Sequence, residues 1–149
     1  MNSARLHVKH FAELTVDELY ELLRIRSQVF VVEQNCVYQD LDGDDRPALH
    51  LWLTADGQTV ATCRVCPANT HMHEVSIGRV VTTVHGMGYG RAIMLAAIEA
   101  ARHHFGACRI DLEAQEYAKG FYERVGFGQS SPVFMLDGIP HIKMTWTAP

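Results

Sequence analysis

The residues most able to do chemistry lie in Ile77-Gly78-Arg79-Val80-Val81-Thr82-Thr83-Val84-His85-Gly86-Met87-Gly88-Tyr89-Gly90-Arg91-Ala92, where a β-branched run enters three alternating glycines and then a good helix former. The pattern predicts strand, glycine loop and helix. Glycines at such a junction let backbone approach a ligand closely. The unpaired N–H groups of the first helical turn, helped by the helix dipole, can hold a phosphate or pyrophosphate. A dinucleotide fingerprint would need glycine where Arg91 stands, and the Gly-Lys-Ser/Thr of a P-loop is absent, so both nucleotide readings weaken.

Carboxylates and histidines offer other chemistries. Asp40, Asp42, Asp44 and Asp45 invite a calcium loop, but the glycine falls at Gly43 and the twelfth position would be Leu51, which rejects an EF-hand. The segment is either a lure for a cationic acceptor or a solvated acidic turn. His71-x-His73 and His103-His104 lack evident third ligands and read as surface histidines; no metal site is expected. Cys63 and Cys66 lie three apart in an expected strand and so face opposite ways, which favours free buried thiols over a metal or redox pair.

Two motifs and a longer pattern carry a family resemblance. His85-Gly86-Met87-Gly88-Tyr89-Gly90 resembles the Gln/Arg-x-x-Gly-x-Gly/Ala signature of the GNAT superfamily of N-acetyltransferases, with His85 in the Gln/Arg position. Downstream, Gln115, Ala118, Tyr122, Gly126 and Phe127 resemble the family's Asn, Ala and Tyr at helical spacing followed by Gly-Phe, with Gln115 replacing Asn. The runs Arg26 to Asp45, Ile77 to Val80 and Asp137 to Ile142 are similar to the ElaA-like group, with Val37 in place of a usual proline.

The resemblance implies a GNAT acyltransferase fold and acetyl-coenzyme A as co-substrate. Its pyrophosphate would meet His85, Gly86, Met87, Gly88, Tyr89, Gly90 and Arg91, with Gln115 nearby, and the backbone of Val80 and Val81 would meet the pantetheine and thioester where that strand splays from its neighbour. Tyr122 is implied as general acid; a phenol with a reference pKa of about 10 can reprotonate a thiolate whose conjugate acid is about 8.5. Glu33, Glu113 and His50 are candidate bases, directly or through water, with Glu33 preferred. Asp42, His50 and His141 are expected at the acceptor. His141 is equally read as a histidine bonded to structural backbone, and Arg79 as one half of an internal ion pair.

These groups need elements to position them. Leu6 to Phe11 alternates as a strand, and the capping box Thr15-Val16-Asp17-Glu18 opens a helix to about Val32. Ala48 to Thr54 and Thr59 to Cys66 form a hairpin about Asp56-Gly57. Val75 to Val84 feeds the glycine loop, and a helix runs from Ala92 to about His104. Arg109 to Ala114 is a strand before a helix that places positions 115, 118 and 122 on one face, closed at Gly126. Ser131 to Leu136 and Ile139 to Trp146 make a last hairpin about Asp137-Gly138. The expected class is α/β or α+β, a mixed and mostly antiparallel sheet flanked by helices.

At 149 residues and 48% hydrophobic content the chain suits one domain with a single core. A net charge of −4 without a Lys/Arg run argues against nucleic acid and anionic membranes and favours a small-molecule or peptide amine. With no apolar leader the expected location is the cytoplasm, and a homodimer is compatible with the family. The expected activity is direct acetyl transfer to a primary amine in a ternary complex. A non-catalytic acyl-coenzyme A binding module is the alternative, and thioester hydrolysis a third option without motif support.

Overall fold

Two Asp-Gly pairs fix the hairpins. Asp56 and Gly57 (φ 51° and 73°), like Asp137 and Gly138 (51° and 74°), all adopt the left-handed conformation that a two-residue hairpin turn requires. The first pair joins β2 (Leu49–Ala55) to β3 (Gln58–Cys66), and the second joins β7 (Phe134–Leu136) to β8 (Ile139–Thr147). The computed structural model describes residues 4–149. With β1 (Arg5–His10), β4 (Val75–Thr82), β5 (Arg109–Gln115) and β6 (Gly128–Gln129), these strands make one sheet in the order β1-β2-β3-β4-β5-β8, with β6 and β7 both pairing β8. Every pair is antiparallel except β4 with β5.

That parallel pair is short. Partners exist only at Val75 with Ile110 and Ser76 with Asp111, although β4 runs on to Thr82 and β5 to Gln115. Beyond those positions the strands part. A β-bulge sharpens the parting: Thr62 pairs Val81 and Arg64 pairs Gly78, so Arg79 and Val80 together oppose Cys63. Arg79 takes φ 53° there, the left-handed region that a non-glycine residue enters only where its surroundings hold it.

Helix α1 (Val16–Arg26) begins with the expected box, in which Thr15 Oγ1 accepts from the Glu18 amide and Glu18 Oε1 accepts from the Thr15 amide. The expected continuation to Val32 is present but wound differently, because residues Ser27–Glu33 form a π-helical segment. The wider turn seats Val29 in a small core with Ile25 and Val81. Helix α2 (Tyr89–Phe105) buries Ile93, Met94, Ala97, Ile98 and Ala101 against β2, β3 and β4, and stops at Gly106 with φ 60°.

The helix expected to carry position 115 differs. Gln115 is the last residue of β5, Glu116–Ala118 is a 3₁₀ turn, and α3 is only Lys119–Glu123. The last hairpin strand begins at Phe134 rather than Ser131, because the chain first pairs as β6 and then crosses Pro132, which has no N–H for a ladder. Cys36, Cys63 and Cys66 are buried free thiols and Cys108 an exposed one. No helix among the described residues is long and apolar enough to cross a membrane.

Candidate active site

The parted strands open a cleft of about 450 Å³. Ile77, Gly78, Arg79 and Val80 form its β4 wall, Glu113 and Gln115 its β5 wall, and Ala118 and Tyr122 close it from the α3 side. Phe30 and Gln34 enter from the π-helical segment and the residue after it, His71 from the β3–β4 loop, and Asp137 and His141 from the last hairpin. Gln115, Ala118 and Tyr122 thus share one cavity without sharing a helix. The 3₁₀ turn between β5 and α3 does what a continuous helix was expected to do.

At the glycine loop, Gly86 and Gly88 adopt φ 80° and 77°, and a Cβ on either would meet nothing within 4 Å. The loop is therefore bent into a glycine conformation while the space before it stays open. Gly88 caps α2, whose first intrahelical bond runs from the Ala92 amide to the Gly88 carbonyl, so the amides of Tyr89, Gly90 and Arg91 precede the ladder. These amides and the open loop suit a pyrophosphate, and the glycines admit it closely. The other expected contacts divide by task. A Cβ at Gly90 would lie 3.2 Å from Phe121, so that glycine serves helix packing. Arg91 donates to the Arg124 carbonyl at 3.1 Å, His85 Nδ1 lies 3.5 Å from Thr82 Oγ1, and Met87 is exposed.

Val80 is half-buried and lines the cleft, whereas Val81 is buried among Ile25 and Val29. Tyr122 packs its ring against Phe121 and Phe127, and burial pushes its phenol well above the usual range. It stays protonated throughout the physiological range.

Three acceptor-side expectations change. The 40–45 segment is neither lure nor solvated turn, because three of its aspartates alternate with three arginines in a closed ring. Arg26 bonds Asp40 (3.1 Å) and Asp45 (2.8 Å), Arg64 bonds Asp45 (3.0 Å) and Asp42 (2.7 Å), and Arg79 bonds Asp42 (3.3 Å) and Asp40 (2.7 Å). Arg79 is thereby the internal ion-pair partner expected of it, and its guanidinium also lies over the Tyr38 ring. Although Asp42 lines the cleft, its charge is spent on Arg64 and Arg79, which hold its carboxyl well below the usual range against the cost of burial. His50 is 3% exposed, bonds the Asp45 carbonyl through Nε2 at 2.9 Å and faces a separate small cavity beside Arg26 and Arg64. Burial holds its imidazole below the usual histidine value, so it reads as a structural residue. Glu33 is exposed, accepts from Gln28 Nε2 at 3.3 Å and does not line the cleft.

Glu113, weighed beside Glu33, is the carboxylate that does enter, and His71 beside it holds its pKa below the usual range. His141 makes the backbone contact of its structural reading, with Nδ1 2.7 Å from the Ile139 carbonyl and the ring stacked on Phe134, and it also lines the cleft. The residue that sequence reasoning missed is His71. Its nitrogens lie 3.2 Å from Asp44 and 3.4 Å from Glu113, so it spans the acidic segment and β5.

An open mixed sheet that parts between two parallel strands ahead of a glycine-turned helix is the GNAT acyltransferase fold. The chain belongs to the GNAT acetyltransferase family: the family's acetyltransferase (GNAT) domain model matches residues 12–148. It is 39% identical to protein ElaA of Escherichia coli over 139 residues, 91% of either chain, and 40% identical to a UPF0039 protein of Schizosaccharomyces pombe over 148 residues, 97% of each. Among solved structures, an acyl-CoA N-acyltransferase of Pseudomonas aeruginosa superposes with a TM-score of 0.90 at 40% identity, covering 97% of this chain and all of that one. Escherichia coli ElaA superposes at 0.89, covering 97% and 99%.

Proposed function

We propose that this protein is an acetyl-coenzyme A-dependent N-acetyltransferase of the cytoplasm that acts on a primary amine, of a small molecule or a peptide, by direct transfer in a ternary complex. The observation that carries the reading is the single cleft joining the bulged stretch of β4, the half-buried phenol of Tyr122 and the carboxylate of Glu113. The α2 amides and the glycine loop hold the pyrophosphate, and the length of β4 that β5 leaves free takes the pantetheine arm along the backbone of Val80 and Val81. The acyl-CoA N-acyltransferase of Pseudomonas aeruginosa, 40% identical to this chain, supports acyl-coenzyme A use.

The amine nitrogen attacks the thioester carbonyl, the carbon–sulfur bond breaks, and the leaving thiolate takes the Tyr122 proton. The phenolate regains a proton from the new amide nitrogen. Burial raises the Tyr122 pKa, and the same environment raises the proton affinity of a thiolate formed beside it, so the transfer stays matched. Glu113, kept ionised, gives a cationic amine a counter-charge.

Release of coenzyme A measured against polyamine, amino-acid, peptide and arylamine acceptors, with a no-acceptor control, tests the reading. Amine-dependent release with an acetylated product is expected. Binding without turnover for every amine would make the chain an acyl-coenzyme A binding module, and release without acceptor would make it a thioesterase.

A further inference from the structure

His71 has no task in the reaction as described so far. It stands on the loop between β3 and β4 and lines the cleft together with Glu113 and His141. Its Nδ1 is hydrogen-bonded to Asp44 Oδ2 at 3.2 Å, with Asp42 Oδ2 3.8 Å away, and its Nε2 lies at ion-pair distance, 3.4 Å, from Glu113 Oε1. An ionised carboxylate has no proton to give, so the ring must donate from Nδ1 to Asp44. Nε2 likewise faces a carboxylate, Glu113, and a neutral ring carries one proton only; in the tautomer that keeps the shorter bond, Nδ1 to Asp44, the lone pair is on Nε2. That lone pair then confronts the Glu113 carboxylate, which is unfavourable unless a proton lies between them. Either the ring's second proton or the ammonium group of an acceptor supplies it.

We propose that His71 is the general base of the acceptor site, with Asp44 as its positioning residue and Glu113 as the seat of the acceptor's ammonium group. The inference rests on the N-acetyltransferase reading above. An alkylammonium titrates near 10, so the acceptor arrives charged at neutral pH and cannot attack. Nε2 takes one proton from it, leaving a neutral amine against Glu113 and an imidazolium between two carboxylates. The amine attacks the thioester as described, and the imidazolium then returns its proton to solvent. One proton is released for each ammonium acetylated, which balances the reaction.

The surroundings tune this base. Asp42 and Asp44 face the ring from the acidic segment and Glu113 from β5, while Arg64 of β3 opposes them. Glu113 foremost, with Asp44, lifts the imidazole above the usual histidine value against burial and Arg64, toward the pKa that suits a base near neutral pH. A divalent cation is the competing occupant, since ligand atoms of Asp42, Asp44 and His71 lie within 4.8 Å of one another. Both Asp42 oxygens already accept from Arg64, however, so a cation would have to break the ring of ion pairs.

The test compares parent, His71→Gln and Asp44→Asn by the pH dependence of kcat at saturating acetyl-coenzyme A, with acetyl-coenzyme A affinity measured by calorimetry. The parent should show an acid limb above the usual histidine value of about 6.5. His71→Gln should lose about 10²-fold in kcat near neutral pH and lose that limb, its rate climbing instead toward the amine's own ionisation, with cofactor affinity unchanged. Asp44→Asn should keep a limb displaced to lower pH, which a merely structural role would not produce. A limb that survives in His71→Gln overturns the assignment and leaves the acetyltransferase reading standing. Loss of parent activity in EDTA with recovery on adding a divalent cation gives the cluster to a metal and overturns it as well. A parent that binds acetyl-coenzyme A but acetylates no amine overturns both.

Discussion

Replacing Asp45 by asparagine probes the ion ring at its most buried carboxylate. Asp45 bonds both Arg26 and Arg64, whose side chains are 4% and 1% exposed, while its own is 10% exposed. Removing one partner of a buried ion pair costs about 3–5 kcal/mol when the other charge is left uncompensated. Here Arg26 keeps Asp40 and Arg64 keeps Asp42, so the expected loss lies near the lower end, about 3 kcal/mol. For a chain of this length each kcal/mol moves Tm by roughly 2–4 °C, so Asp45→Asn should melt about 6–12 °C lower at neutral pH. The pH dependence has a definite sign. The arginines hold the Asp45 and Asp42 carboxyls below their unfolded values, so their contribution is complete above the unfolded pKa of about 3.9 and fades as pH falls through the lower folded values. The gap between parent and variant should therefore narrow below about pH 4. Calorimetric melting across pH measures this. A drop under about 2 °C, or a gap constant to the lowest pH at which both fold, would refute the ring as a stabilising device.

Gly88→Val places a branched side chain at φ 77°, where the backbone must both cap α2 and face the pyrophosphate, so calorimetry should show at least tenfold weaker acetyl-coenzyme A binding in a folded protein. His85→Gln, at an exposed position whose ring lies 3.5 Å from Thr82 Oγ1, should bind as tightly as the parent or more so. Thiol labelling of the native protein should modify Cys108 well before Cys36, Cys63 or Cys66, because burial both shields those three and raises their pKa; mass mapping after brief alkylation checks the order.

Signals that act over a few residues were legible in the sequence. Asp56-Gly57 and Asp137-Gly138 announce turns that only left-handed residues can make, Thr15 and Glu18 announce a helix start, and the Gly86, Gly88, Gly90 series announces a helix entered through an open loop. The site depended on features without such signals. Nothing in Ile77 to Thr82 marks Arg79 as a bulge residue, because its conformation is held by Asp40 and Asp42 from a distant loop. The acidic segment looked solvated because its arginine partners lie on α1, β3 and β4. His71 and Glu113 are 42 positions apart and meet only where the β3–β4 loop lies against β5. Glu33 was the preferred base among three candidates, but the π-helical segment that carries it leaves its carboxylate outside the cleft.

The central claim is that this cleft transfers an acetyl group with Tyr122 as acid, and rapid-quench single turnover of Tyr122→Phe beside the parent tests it most directly. The substitution keeps the ring packed on Phe121 and Phe127 and deletes the hydroxyl alone. Acetyl-coenzyme A affinity should be nearly unchanged and the chemical step slower by about 10²-fold or more. Equal single-turnover rates in the two proteins, with acetylated amine formed by both, would contradict the account and assign the departing thiolate's proton to water or to the amine itself.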